Sequence, residues 1–360
     1  MVRNLTVTPS PAATTNPYVR EGDVMAQSST PPRPEPWLER IAMGCFLALS
    51  PKLDKVPQPD PPERLEPFET VAIPRRHGRG TLAATWFPAA GHPRGAVLLL
   101  HPWLMWGRAY FNLRGRIDAL RAAGYHALTF DFGGFGASGP PHVLFDRDVE
   151  AGLDFLRQRA GDLPVHVWGV SSGGYWAHPV LSRTDGVTGA FFEDVSPHLF
   201  EWSWRMAPLG RPAYVLYRAC LRSAYRFLDI RRHAAAMSLG AVTYVSGERD
   251  HGIRPEDTRE LAALAGGRCH LVPGAEHLGS IKLAGEEVIG LALDTFRRAE
   301  EHSSSVKPGP RWPEGSDGRD RHGPSSGRSF RRSSLPPGGE RWPAARWGRR
   351  LRAPARHERS

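Results

Sequence analysis

From Phe68 to Glu300 the chain alternates short apolar runs with longer segments of helical spacing. "FETVAI" and "TLAATWF" come first with no helix between them, which suits an antiparallel opening pair. The runs "GAVLLLHP", "YHALTFDF", "VHVWGV", "TGAFFEDV", "AVTYVSGE" and "CHLVPG" follow. Between them lie "RAYFNLRGRIDALRAAG", "DVEAGLDFLRQRAG", "SGGYWAHPVLSR" and "PEDTRELAALAG", and "LAGEEVIGLALDTFRRAEE" closes the series. A strand that is apolar throughout must be covered on both faces, and helical crossovers between parallel strands do that. The expected fold class is therefore α/β: a mostly parallel central sheet with helices on both faces and right-handed crossovers.

The ends of the chain read differently. Residues 1–36 are rich in Pro, Ser and Thr and residues 303–360 in Arg, Pro and Gly; both lack apolar periodicity and are expected to be disordered, with the folded domain at 37–302. The net charge of +10 raises the question of nucleic acid, but Glu301–Ser360 holds 14 Lys/Arg against 6 Asp/Glu, a net +8. The domain itself is nearly neutral, so no nucleic-acid partner is expected for it. No apolar stretch is long enough to span a membrane, and the first residues lack the apolar core of a secretory signal. Cys45, Cys220 and Cys269 are too few and scattered for a disulfide framework or a metal cluster. These features point to a cytoplasmic protein with no metal and no cofactor. In "WLERIAMGCFLAL", Trp37, Leu38, Ile41, Cys45 and Leu49 share a helical face. Packing on the domain is the favoured reading; a peripheral membrane contact through 37–50 is the alternative, disfavoured by the few cations on the polar face.

Gly169-Val170-Ser171-Ser172-Gly173 fits G-x-S-x-G, with an apolar strand before it and a small-residue helix start after it. That is the strand–turn–helix context in which the motif carries a nucleophile. The serine must sit on a tight bend, and a Cβ two residues to either side would strike the neighbouring strand or helix. Centring the motif on Ser172 would put Val170 at a glycine position, so Ser171 is the candidate. Ser172 then opens the helix, with its N–H where an oxyanion would form. The competing reading is that Ser171 merely caps that helix.

A serine nucleophile needs a base, commonly histidine, oriented by a carboxylate. Ligand chemistry in such sheets gathers at the carboxyl ends of the strands. Asp250 follows "AVTYVSGE" and His277 follows "CHLVPG", giving the order Ser171, Asp250, His277. Rivals are His251, which adjoins Asp250; His270, within a strand; and Asp194 or Glu193, which end "GAFFED" and offer another carboxylate. A second oxyanion donor is expected in the loop after "GAVLLLHP", at the backbone N–H of Trp103.

Together, "HPW", "DFGGFGASG", "GVSSGG" and "GERD" followed by "GAEH" resemble landmarks of the α/β-hydrolase superfamily, over about Phe68–Glu300. The resemblance implies the α/β-hydrolase fold, with Ser171 as nucleophile, His277 as general base and then acid, Asp250 as orienting acid, and an oxyanion hole from Trp103 and Ser172. Two departures stand out: Pro102 replaces a usual glycine, and Trp103 is bulky enough to wall an acyl pocket. The segment at about 196–238, rich in Trp, Tyr, Phe and Leu, lies where this superfamily inserts a helical lid.

The expected function is a serine hydrolase that cleaves a small-molecule carboxylic ester, a lipophilic acyl or aryl ester above all. Thioester, amide and peptide cleavage are alternatives within the same fold. A different class is a non-catalytic binding scaffold whose basic tail holds nucleic acid or an acidic membrane.

Overall fold

The structure, a computed structural model, describes residues 67–75, 80–103, 107–140, 145–206 and 226–305, with the isolated positions 37, 215 and 219. The expected disordered segment 1–36, residues 38–50, most of the tail and the centre of the 196–238 segment lie outside them. Trp37 is helical and 59 % exposed.

All of the apolar runs form strands of one 8-stranded sheet. They are β1 (Glu69–Pro74), β2 (Thr81–Phe87), β3 (Gly95–Leu100), β4 (Tyr125–Phe130), β5 (Val165–Val170), β6 (Gly189–Glu193), β7 (Ala241–Gly247) and β8 (Arg268–Val272). The order is β1-β2-β4-β3-β5-β6-β7-β8. β1 pairs with β2, and β2 with β4, antiparallel; every later pairing is parallel. From β3 the chain crosses first to β4 on one side and then to β5 on the other. That reversal opens a crevice at the carboxyl ends of β3 and β5, where open α/β sheets bind ligands.

The helices are α1 (Arg116–Ala122), α2 (Asp146–Ala160), α3 (Ser172–Leu181), α4 (Leu199–Met206), α5 (Ile230–Ala236), α6 (Pro255–Leu264), α7 (Ser280–Leu283) and α8 (Gly285–Ser305). α8 runs past residue 302, the expected edge of the domain. The two-residue period of a strand divides the core into two layers. Ala96, Leu98 and Leu100 of β3 join Val149, Leu153, Tyr175, Val180 and Leu261 on one face. Val97 and Leu99 join Phe111, Ile117, Leu120, Val288, Ala292 and Phe296 on the other. β3 and β5 are buried along their whole length, which explains why neither alternates in sequence.

One helical expectation needs correction. The spacing over 108–124 reads as one helix, but Gly107–Gly115 is a 3-10 segment with Leu113 extended and Arg114 at φ 62°. α1 begins only after Gly115, at φ 74°. The break turns Arg116 inward, where hydrophobic spacing would not put a cation. Its guanidinium bonds both Glu193 oxygens, at 3.1 and 3.0 Å, and lies over the Tyr110 ring. Glu193 also accepts from the Trp168 indole at 2.6 Å. Both charged side chains are 1 % exposed.

Two stability predictions follow from this packing. Glu193→Ala leaves the Arg116 charge buried and unpaired, and should cost about 3–5 kcal/mol in chemical denaturation. Gly290 lies in the exposed interior of α8 with open space around it, so Gly290→Ala should stabilise by roughly 0.5–1 kcal/mol, read as a raised melting temperature.

Candidate active site

Strand β5 runs directly into Ser171, whose backbone sits at φ 48°, ψ −116° before α3 begins at Ser172. A non-glycine residue there is strained, and such strain persists only where neighbours enforce it. The neighbours are backbone atoms at very close range. A Cβ on Gly169 would lie 2.4 Å from the Gly174 Cα, and one on Gly173 would lie 2.2 Å from the Leu100 carbonyl oxygen. The bend is also tied by hydrogen bonds. Ser171 N–H donates to the Glu193 carbonyl at 2.7 Å, and Tyr175 N–H to the Ser171 carbonyl at 2.9 Å.

The Ser171 hydroxyl makes no capping bond to α3. Its Oγ lies 3.2 Å from His277 Nε2. His277 Nδ1 in turn lies 2.7 Å from Asp250 Oδ2. The other Asp250 oxygen accepts from Gly252 N–H at 2.8 Å and Ile253 N–H at 2.9 Å, so both oxygens of this buried carboxylate are committed. Burial works against a charged His277 ring. The Asp250 hydrogen bond and charge, with the nearby Asp194 charge, outweigh it and raise the ring above its ordinary value. A hydroxyl, an imidazole and a carboxylate in this linear order can pass a proton from oxygen to nitrogen and hold the resulting imidazolium.

The rivals lie elsewhere. His251 is exposed beside Asp250. His270 sits in β8 with Nε2 3.2 Å from Glu287. Glu193 is committed to Arg116 and Trp168 on the far side of the sheet. Asp194 is fully buried and close by, but its carboxylate meets backbone N–H groups rather than the imidazole: Gly247 at 3.2 Å and Leu278 at 2.9 Å.

The loop after β3 carries His101, Pro102 and Trp103. His101 is fully buried, and burial lowers its pKa, keeping the ring neutral. Nδ1 then donates to the Pro102 carbonyl at 2.8 Å, while Nε2 accepts from Phe132 N–H at 3.2 Å. Trp103 packs edge-on against Phe135 and Phe145, with ring centroids 5.0 and 5.4 Å apart. Ser172 opens α3, where helix geometry supplies its N–H with no carbonyl.

Sequence reasoning passed over one anchor of this loop, Asp131. It accepts from Arg108 N–H at 2.7 Å and from its guanidinium at 2.9 Å, joining the chain after β3 to the chain after β4. The signal for it is Gly136 at φ 48°, where a Cβ would lie 2.2 Å from the Asp131 carboxylate.

Of the expected lid, α4 and α5 are described, whereas 207–214, 216–218 and 220–225 lie outside the described residues. The Trp202 ring of α4 has its centroid 6.4 Å from that of His277. Among the described residues, no helix is long and apolar enough to cross a membrane.

Comparison with known proteins bears on the fold. A family profile described as the alpha/beta hydrolase fold matches residues 95–202, which run from β3 through the Ser171 bend into α4. The lysophosphatidylserine lipase ABHD12 of Gallus gallus is 32 % identical over 121 residues, 30 % of this chain and 31 % of that protein. Its Rattus norvegicus counterpart is 30 % identical over 122 residues, 30 % of each chain. The chain thus spans under a third of the length of these curated relatives. Among solved structures, the Pyrococcus furiosus esterase Pf2001 superposes with a TM-score of 0.53 at 20 % identity, covering 64 % of this chain and 92 % of the esterase. The alpha/beta hydrolase GrgF from Penicillium sp. sh18 gives 0.52 at 15 % identity, covering 65 % and 99 %. Strand order, the strained serine at the β5–α3 bend and the family match agree, and the chain has the α/β-hydrolase fold.

Proposed function

We propose that this protein is a serine hydrolase that cleaves a carboxylic ester through an acyl-enzyme. The observation that carries the reading is the chain from Ser171 Oγ to His277 Nε2 at 3.2 Å and from His277 Nδ1 to Asp250 at 2.7 Å, on a bend where the hydroxyl is not used as a cap. In the proposed reaction, Ser171 Oγ attacks the ester carbonyl carbon and its proton passes to His277 Nε2. The backbone N–H groups of Trp103 and Ser172 hold the developing oxyanion. The tetrahedral intermediate collapses, the alkoxide leaves with the proton from His277, and Ser171 carries the acyl group. Water then attacks that acyl group while His277 again takes a proton, and the acid and free serine are released.

A lipophilic acyl or aryl ester is the favoured substrate. The aromatic residues around Trp103, the aromatic composition of 196–238 as a lid, and relatives named as lysophosphatidylserine lipases and an esterase support that choice. No specific observation favours a thioester, an amide or a scaffold role.

A fluorophosphonate probe is expected to label the wild type and to leave Ser171→Ala unlabelled; labelling that survives the substitution would overturn the assignment. Across p-nitrophenyl esters of graded chain length, kcat/KM should rise with acyl length before falling, and a flat or absent response would count against a lipophilic ester.

The pH dependence has a defined sign. His277 accepts a proton only when neutral, and its pKa is raised. Activity should therefore fall as pH drops through a midpoint above that of an ordinary histidine. Asp250→Asn removes the strongest raising contribution. It should move that midpoint down and cut kcat by roughly 10⁴-fold, read from a pH series of kcat/KM.

A further inference from the structure

We propose that Asp194 is a positioning residue for the Ser171–His277–Asp250 chain, its carboxylate clamping the loops that carry His277 and Asp250 to the end of β6. The inference rests on the serine hydrolase reading and deepens it. Asp194 directly follows β6 at φ 51°, a left-handed conformation uncommon for a residue with a side chain. Its own N–H donates to the Val245 carbonyl of β7 at 2.8 Å.

That turn sends the carboxylate under both loops. Oδ1 accepts from Gly247 N–H at 3.2 Å, where β7 ends and the chain turns toward Asp250. Oδ2 accepts from Leu278 N–H at 2.9 Å, the peptide that directly follows His277. Leu278 is itself at φ 56°, so the His277 loop holds a strained backbone at the point where Asp194 grips it. The loops also press on each other. A Cβ on Gly247 would lie 2.3 Å from the Ala275 carbonyl oxygen, and Arg249 N–H donates to that oxygen at 2.8 Å. On the other side, the carbonyl of Glu193 accepts from Ser171 N–H at 2.7 Å. Residues 193 and 194 thus accept from Ser171 N–H, from the peptide after His277 and from Gly247, three residues before Asp250.

The charge matters as well as the bonds. Asp194 is fully buried, and the ionisable groups around it are His277, Asp250 and Glu193, the last paired with Arg116. Burial and the two acidic neighbours push its carboxyl up to about 7, against the pull of His277. A purely structural tie to two N–H groups does not need a carboxylate crowded by acids. In its ionised form Asp194 adds its charge to that of Asp250 in raising the His277 ring above its ordinary value.

The test compares Asp194→Ala, Asp194→Asn and wild type, using a p-nitrophenyl ester, a fluorophosphonate probe and thermal unfolding. Asp194→Ala should lower kcat by roughly 10²-fold with KM changed little, because reacting groups held loosely lose about that much. Probe labelling should slow in parallel yet still reach Ser171. Asp194→Asn keeps the shape and one acceptor, so it should recover part of the rate. It lacks the charge, so the acid limb of its pH profile should move to lower pH. It also carries the test if the alanine variant does not fold. Folded variants with a lower melting temperature but wild-type kcat, labelling rate and acid limb would overturn the proposal. So would wild-type activity in Asp250→Asn with deep loss in Asp194→Asn, which would make Asp194 the orienting acid instead. A wild type that no probe labels would instead sink the hydrolase reading beneath it.

Discussion

The structure depends on the approach of α3 to β5 at backbone contact distance. Gly169 and Gly174 meet where a single methyl group would lie 2.4 Å from a Cα, and Gly173 meets the end of β3 as closely. Interior packing leaves no slack for such overlaps, so these positions admit no side chain unless the helix moves away. The helix therefore starts immediately above the sheet edge, and the one residue between strand and helix takes the strain. An outlying backbone of this kind costs on the order of 1–3 kcal/mol. The two backbone bonds at Ser171 and the packing of Tyr175, Trp176 and Val180 offset it. The half-buried serine is the residue that makes the turn between strand and helix.

The end of β6 performs a second task at the same level. Adjacent residues of a strand point to opposite faces, and the acidic pair there divides its work accordingly. Glu193 faces the α1 side and holds Arg116 and Trp168. Asp194, turned by its positive φ, faces the loops of His277 and Asp250. Buried ion pairs add little net stability when weighed against apolar replacements of equal volume. The concentration of buried charge at this sheet edge is therefore better explained by the geometry it fixes than by the energy it supplies.

Much of this was readable from residue patterns, and the failures have physical causes. The strands announced themselves as apolar runs, and the glycine spacing separated Ser171 from Ser172 for the steric reason the close contacts bear out. The break in the single helix expected over 108–124 is not legible in the sequence because hydrophobic spacing is insensitive to two left-handed residues in succession. Arg114 and Gly115 break the helix without disturbing the periodicity on either side. The burial of Arg116 is not legible in the residue pattern, because its partner Glu193 is 77 positions away. Asp194 and Asp250 were not separable in sequence, since each is an acid just past a strand end. What differs is the direction of the side chain, set by backbone torsions that residue type does not encode. The lid remains a reading of composition and position, since the residues between α4 and α5 lie almost wholly outside those described.

The contacts of α4 add a final step. Asp250 Oδ1 organises the turn at Gly252 and Ile253, and Arg205 of α4 donates to the Gly252 carbonyl at 3.0 Å while pairing with Asp257. Trp202 lies against the same glycine, where a Cβ would come within 2.6 Å of its indole nitrogen. The helix that opens the 196–238 segment is therefore fastened to the loop that orients His277, and a shift of one would be felt by the other. Under the ester hydrolase reading, the first turns of that segment act as a fixed wall beside the imidazole. Moving α4 would loosen the Asp250 turn on which the base depends.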